Sequence, residues 1–220
     1  MTKILPAIAV AIMLISFAAV AVAQAAAPTL DDRLFAAVGN GDIAAATQLL
    51  AQGAHVDAQD PGGDTPLIAA ASIGNVDMVK LLLEQGANVA LHDKTGTTAL
   101  HFAVTAGNIE EATLLLAKNA PVNVKDDGGV TPLMDSVVSQ KLELVNLLLD
   151  HGADAGARDA HGLTSLMAAS GAGLIDIVKT LLDHGAGIDD KSDDGSTALS
   201  LATKNKYRDI AKLLRARGAR

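Results

Sequence analysis

The chain has 220 residues, with 17 Lys and Arg against 25 Asp and Glu, a formal net charge of −8, half its residues apolar and no cysteine. An acidic balance of this size repels phosphate backbones and sets nucleic acid aside as a partner. The missing cysteines exclude a disulfide framework, a thiolate nucleophile and a Cys-based metal site, without excluding an oxidising compartment.

The first predicted element is a leader. Lys3 precedes an apolar stretch over residues 4–22, interrupted mainly by Pro6 and Ser16, and Ala21-Val22-Ala23 forms an A-x-A cleavage signal. Residues 1–23 are expected to be a secretory signal peptide, followed by a short linker over 24–29. An uncleaved membrane anchor is the alternative, since about 20 apolar residues can cross a bilayer. Under both readings the short basic end stays in the cytoplasm and the rest is exported. The absence of cysteine at the cleavage point argues against a lipid anchor, and the expected location is the periplasm. Loss of Lys3 with the leader takes the net charge to −9.

Beyond the linker a block recurs at an interval of 33 residues. Thr65, Thr98, Thr131, Thr164 and Thr197 lead it, each followed two residues later by a leucine: Leu67, Leu100, Leu133, Leu166 and Leu199. A Thr hydroxyl accepts a hydrogen bond from an orphan N–H of a helix's first turn, and proline suits the next position, so each block opens a helix. Gly74, Gly107 and Gly173 fall nine residues after their Thr, where a short helix reverses. A second helix follows with a leucine-rich face, and after Gly86, Gly152 and Gly185 the chain turns back through Asp, Gly and Asn. Asp32 lies 33 residues before Thr65, with Gly41 in the inter-helix place, and is expected to cap a first unit. Six units are predicted over residues 30–220, near 32–64, 65–97, 98–130, 131–163, 164–196 and 197–220, the last truncated. Units of this kind bury their apolar faces only against neighbours, and six exceeds the minimum of about three.

These residues resemble the ankyrin repeats, whose period is 33 and whose signature is T-P-L-H-x-A. Thr65-Pro66-Leu67 and Thr131-Pro132-Leu133 match it, and Thr98-Ala99-Leu100-His101-Phe102-Ala103 keeps all but the proline. Gly86-Ala87, Gly152-Ala153 and Gly185-Ala186 fit the family's G-A-D turn, and Asp60, Asp93, Asp126 and Asp159 fit the aspartate that opens each unit. The resemblance implies an all-α solenoid of about six helix-turn-helix units with projecting β-turn or hairpin loops. It implies no enzyme activity, a His101 that ties turns together, and a partner protein bound along the turn tips and first helices. Similar exported bacterial proteins suggest support of a periplasmic redox or stress enzyme such as catalase, or an immunity protein that neutralises a toxin. A structural adaptor attached at the membrane or wall is a further alternative.

Catalytic and metal signatures are missing. No nucleophile–base pairing appears at motif spacing, and Gly62-Gly63 and Gly128-Gly129 are turn glycines with no phosphate-loop context. His151 and His184 occupy equivalent places one unit apart, where helices pack roughly 8–10 Å from each other. Zinc needs nitrogens at about 2.0–2.1 Å and further ligands, so no metal or cofactor is expected.

Recognition is expected where units differ. The residue before each capping Thr is expected near the turn tip, and reads Asp64, Thr97, Val130, Leu163 and Ser196, an apolar middle with polar ends. Ile73 and Val138 extend the strip, and Lys94, Thr105, Asp127, Ser139, His161 and Asp194 border it. An apolar centre with a polar rim suits a protein partner; the alternative is that Val130 and Leu163 fold back onto the neighbouring turn. The chain is expected to be a monomer, touching membrane only if the leader is retained. The unit from Thr131 departs most. Asp135 takes the slot of Ala69, Phe102, Ala168 and Leu201, either as a ligand contact or as a locally satisfied polar residue. Gln140 stands where glycine is wanted, at a cost of roughly 1–2 kcal/mol, so this unit is expected to be a soft joint. Residues 204–220 carry +6 against −15 for 24–203, as polar cover for a terminal unit or as a site for anionic lipid or an acidic protein.

Overall fold

The computed structural model describes residues 27–220; the expected signal peptide and residues 24–26 of the linker lie outside the described residues. Six helical pairs follow one another: α1 (Leu30–Gly39) and α2 (Ile43–Ala51), α3 (Pro66–Ser72) and α4 (Val76–Glu84), α5 (Ala99–Thr105) and α6 (Ile109–Ala117). The second half repeats the scheme with α7 (Pro132–Val138) and α8 (Leu142–Asp150), α9 (Ser165–Ala172) and α10 (Ile175–Asp183), α11 (Ala198–Lys204) and α12 (Arg208–Ala216). Each helix packs on its mate and on the equivalent helix of the next unit, giving one layer of first helices and one of second helices. Among the described residues no helix is long and apolar enough to cross a membrane.

Local chemistry sets the helix starts. The hydroxyls of Thr65, Thr131, Thr164 and Thr197 accept the N–H of Ile68, Met134, Met167 and Ser200 at 3.1–3.4 Å, and Pro66 and Pro132 open α3 and α7. Asp42, Asn75 and Asn108 cap α2, α4 and α6 in the same way. α8, α10 and α12 begin at Lys141, Leu174 and Tyr207 with no side-chain cap. A missing cap costs about 1 kcal/mol, so the second half is held less by local bonds and more by packing.

Packing supplies a continuous core from Leu34 to Leu214. Leu67, Leu100, Leu133 and Leu166 are fully covered, while Leu199 is half-buried because no described unit follows it. Ala70, Ala103, Ala169 and Ala202 are buried in one row and let first helices approach closely. Ser136 breaks that row, and its buried hydroxyl donates to the Leu133 carbonyl at 2.6 Å.

One expectation is corrected. Asp32 is not the first cap: Thr29 caps α1, and Asp32 is its reciprocal partner, with the Asp32 N–H donating to Thr29 Oγ1 at 3.1 Å and the Thr29 N–H to Asp32 Oδ2 at 2.8 Å. This capping box carries α1 one turn further back than the 33-residue register. The last unit keeps both helices at the usual length. Gln140 is left-handed as expected, at φ 57°, and Lys206 takes φ 66° at the same place two units later.

Candidate protein-binding face

Between units the chain forms a tight turn built around one carboxylate. Asp60 Oδ1 accepts the N–H of Gly62 at 2.7 Å and of Asp64 at 2.9 Å. Asp93 does so for Thr95 and Thr97 at 2.8 and 2.9 Å, and Asp159 for His161 and Leu163, both at 2.8 Å. Asp126 holds Val130 at 2.8 Å. In return the Asp N–H donates to the carbonyl of the residue four on, for example Asp126 to Val130 at 3.0 Å. Asp64, Thr97, Val130 and Leu163 therefore close the base of each turn, and the tips are Pro61-Gly62, Lys94-Thr95, Asp127-Gly128 and Ala160-His161. In the last turn Ser192 replaces the aspartate and Asp194 takes over, accepting from Ser192 Oγ at 2.6 Å and the Ser196 N–H at 2.9 Å. Those bonds, the Ser192 hydroxyl first, hold the Asp194 carboxyl down at about 2.

Neighbouring turns are joined by one backbone bond each. The N–H groups of Lys94, Asp127, Ala160 and Asp193 donate to the carbonyls of Gly62, Thr95, Gly128 and His161 at 2.8–3.0 Å. At the head of this ladder stands Pro61, which has no N–H to pass on, so the ladder starts there. His101 adds a side-chain rung. Its Nδ1 accepts the Thr98 N–H at 3.2 Å and its Nε2 donates to the Val130 carbonyl at 3.3 Å, which requires the neutral ring. Burial pushes its pKa down, in the same sense.

The structure distributes the expected binding residues over this ladder and the ends of the first helices. Lys94 lies at a tip with its Nζ on the Pro61 carbonyl at 2.6 Å, and Thr97 bonds Thr95 through the hydroxyls at 2.9 Å. Asp127 and His161 are exposed tip residues. Val130 is half-buried, with a methyl lying against Gly128 of its own turn. Leu163 is 36% exposed and lines a hollow of about 290 Å³ with His161, Asp194, Ser192 and Asp193. Three expected residues thus meet in one place. At the other end of the first helices, Ile73 is 52% and Val138 69% exposed. Thr105 is exposed, and Ser139 donates to the Ser136 carbonyl at 2.9 Å.

Between these two ends runs a row one turn into the first helices: Ala69, Phe102, Asp135 and Ala168. Asp135 is half-buried, with Thr105 of the preceding unit beside it. Burial, with repulsion from Asp126 second, pushes its carboxyl up to about 7. It is incompletely satisfied as an anion.

One group escapes the sequence reading. Glu111 on α6 has no exposed surface, and neither carboxylate oxygen has a hydrogen-bond partner. Burial pushes it up to about 7. The signal was available, since the same place in other units holds Met78, Leu144, Ile177 and Ile210, all buried. Among the described residues no group of His, Asp and Glu could hold a metal ion. His151 and His184 instead lie exposed, each ring Nδ1 on the carbonyl four residues back at 2.8 Å.

Six helical hairpins in register, joined by a turn ladder and presenting a face of turns and first helices, define a repeat solenoid of the kind that serves as an interaction scaffold. The family model for ankyrin repeats (3 copies) matches residues 34–126, 88–159 and 133–220. The chain belongs to the ankyrin-repeat family, whose repeats act as protein–protein interaction modules. No curated protein matches it.

Proposed function

We propose that this chain is a non-catalytic binding module, exported to the periplasm by its leader, that holds a partner protein along the turn and first-helix face. One observation carries the reading. Ile73, Val138 and Leu163 stay in solvent on that side of the stack, while equivalent residues elsewhere are polar or small, apart from the half-buried Val130 beside Leu163. Seven helical residues span about 10 Å, so the two ends of this face lie within one partner's footprint. Polar residues at the turn tips surround it, as at the rim of an interface.

Replacing Val138 and Leu163 together by Asp is expected to abolish recovery of the partner that wild-type protein captures from periplasmic extract, with helical circular dichroism unchanged. Recovery of the same partner in the same yield would reject this face. Support of a redox or stress enzyme such as catalase predicts such an enzyme gene beside this one, whereas an adjacent toxin gene favours neutralisation. A mature N-terminus at Gln24 on the exported protein supports cleavage of the leader.

A further inference from the structure

The sixth unit has no described neighbour on its far side, so α11 and α12 turn one face to solvent. Arg208, Lys212 and Arg215 stand four and then three residues apart on α12, which places them on one stripe. All three are exposed, whereas Ile210, Ala211 and Leu214 are buried against the stack. Lys206 precedes the helix in the left-handed turn at φ 66°. Of the remaining cations at this end, Arg217 bonds Asp183 at 2.8 Å and Lys204 lies near Asp194. Lys206, Arg208, Lys212 and Arg215 have no ion-pair partner among the described residues, and residues 1–26 contain no Asp or Glu that could supply one. A hollow of about 370 Å³ opens on this face, lined by Thr203, Lys206, Arg208 and Arg215 over a floor of Ala202 and Ala211.

We propose that this end of the solenoid docks on an anionic phospholipid surface. The sign of the whole chain does not oppose it. Successive units lie roughly 8–10 Å apart, and at physiological ionic strength charges are screened over about 8 Å, so acidic residues two or more units away do not cancel the field at the end. A helix with one cationic face and several unpaired Lys and Arg is attracted to anionic headgroups. The form of the patch favours a surface over an acidic peptide. Its cations run about 10 Å along one stripe, over a floor of alanine, with no buried polar group converging on a point. A second copy stacked end to end fits less well, because the turn ladder starts at Pro61 and offers no N–H to the last turn of another chain.

The test uses the chain from Gln24, whose core between Leu34 and Leu214 is complete without the leader. It is sedimented with phosphatidylcholine vesicles containing about 30% phosphatidylglycerol, with pure phosphatidylcholine as baseline. Binding above the baseline that weakens with added salt is expected. Each cation near such a surface is worth roughly fivefold in partitioning, so Lys206→Gln, Arg208→Gln, Lys212→Gln and Arg215→Gln together are expected to cost on the order of 1,000-fold. Lys80→Gln, Lys118→Gln, Lys125→Gln and Lys179→Gln, which change the net charge equally, are expected to leave binding unchanged. No binding above baseline, or equal loss in both variants, would overturn the proposal. Displacement by millimolar inorganic phosphate would reassign the patch to a free anion. Binding of polyglutamate without vesicle binding would reassign it to an acidic protein, and self-association without vesicle binding to a second copy.

Discussion

Glu111 brings a carboxylate into a slot that four other units fill with Met, Leu or Ile, and it finds no hydrogen bond there. A buried carboxyl avoids its charged form, so folding holds its proton up to about pH 7 against an ordinary value of 4.5. Below 4.5 both folded and unfolded chains carry the proton and no cost arises. Between 4.5 and 7 only the unfolded chain releases it, so stability falls as pH rises, by about 1.4 kcal/mol per unit, and above 7 the full cost of about 3 kcal/mol stands. Asp135 is raised for the same reason and adds to the slope. His101 opposes it below its ordinary 6.5, because acid must charge a ring that burial keeps neutral. The informative quantity is therefore the difference between variant and wild type. Glu111→Leu is expected to raise the melting temperature at pH 8 and to leave it little changed near pH 4. An equal gain at both pH values would show that packing, not ionisation, is what the substitution repairs.

At the scale of the element, the α7–α8 hairpin lacks the reversing glycine that both its neighbours have and the side-chain cap that the preceding hairpin has. Gly74, Gly107 and Gly173 turn between helices at φ 71–81°, while Gln140 is held at φ 57° with a side chain. Asn75 and Asn108 cap the second helix in units two and three, but Lys141 provides no cap to α8. Its side chain lies over Gly107 instead. Gln140→Gly and Lys141→Asn are each expected to stabilise the chain by about 1 kcal/mol, read as a higher urea midpoint. A lower midpoint for Gln140→Gly would mean that the glutamine makes a contact worth more than its backbone strain.

Across the whole molecule these defects fall together. Glu111 belongs to the third unit, Asp135, Gln140 and Lys141 to the fourth, and a linear stack is only as strong as each unit and its two interfaces. The joint between these units is the place where the rod opens first. Native-state hydrogen exchange at pH 8 is expected to show weaker protection in α6 and α8 than in α4 and α10, with Glu111→Leu removing most of the difference. Uniform protection along the stack would instead indicate that the six units open as one. The same joint lies beneath Phe102, Asp135 and Val138 on the proposed binding face, so a partner that bridges it would also brace it.

Much of this was legible in the linear chain, because the fold rests on interactions that repeat locally every 33 residues. A Thr that caps, a leucine two places on, a glycine that reverses and an aspartate that closes a turn each act within a few residues of themselves, and their period alone dictates a row of hairpins. The place of Gln140 was readable for the same reason. Other features depend on where side chains point across units. The positions before each Thr close the turn bases because of reciprocal Asp bonds, Thr105 of the preceding hairpin lies beside Asp135, and Thr29 outcompetes Asp32 because only Thr29 completes a reciprocal cap. The hollow shared by His161, Leu163 and Asp194 exists only once two turns are laid side by side. Glu111 stood in plain view as a break in an apolar column, but whether a carboxylate is orphaned is settled by the neighbours that surround it in three dimensions.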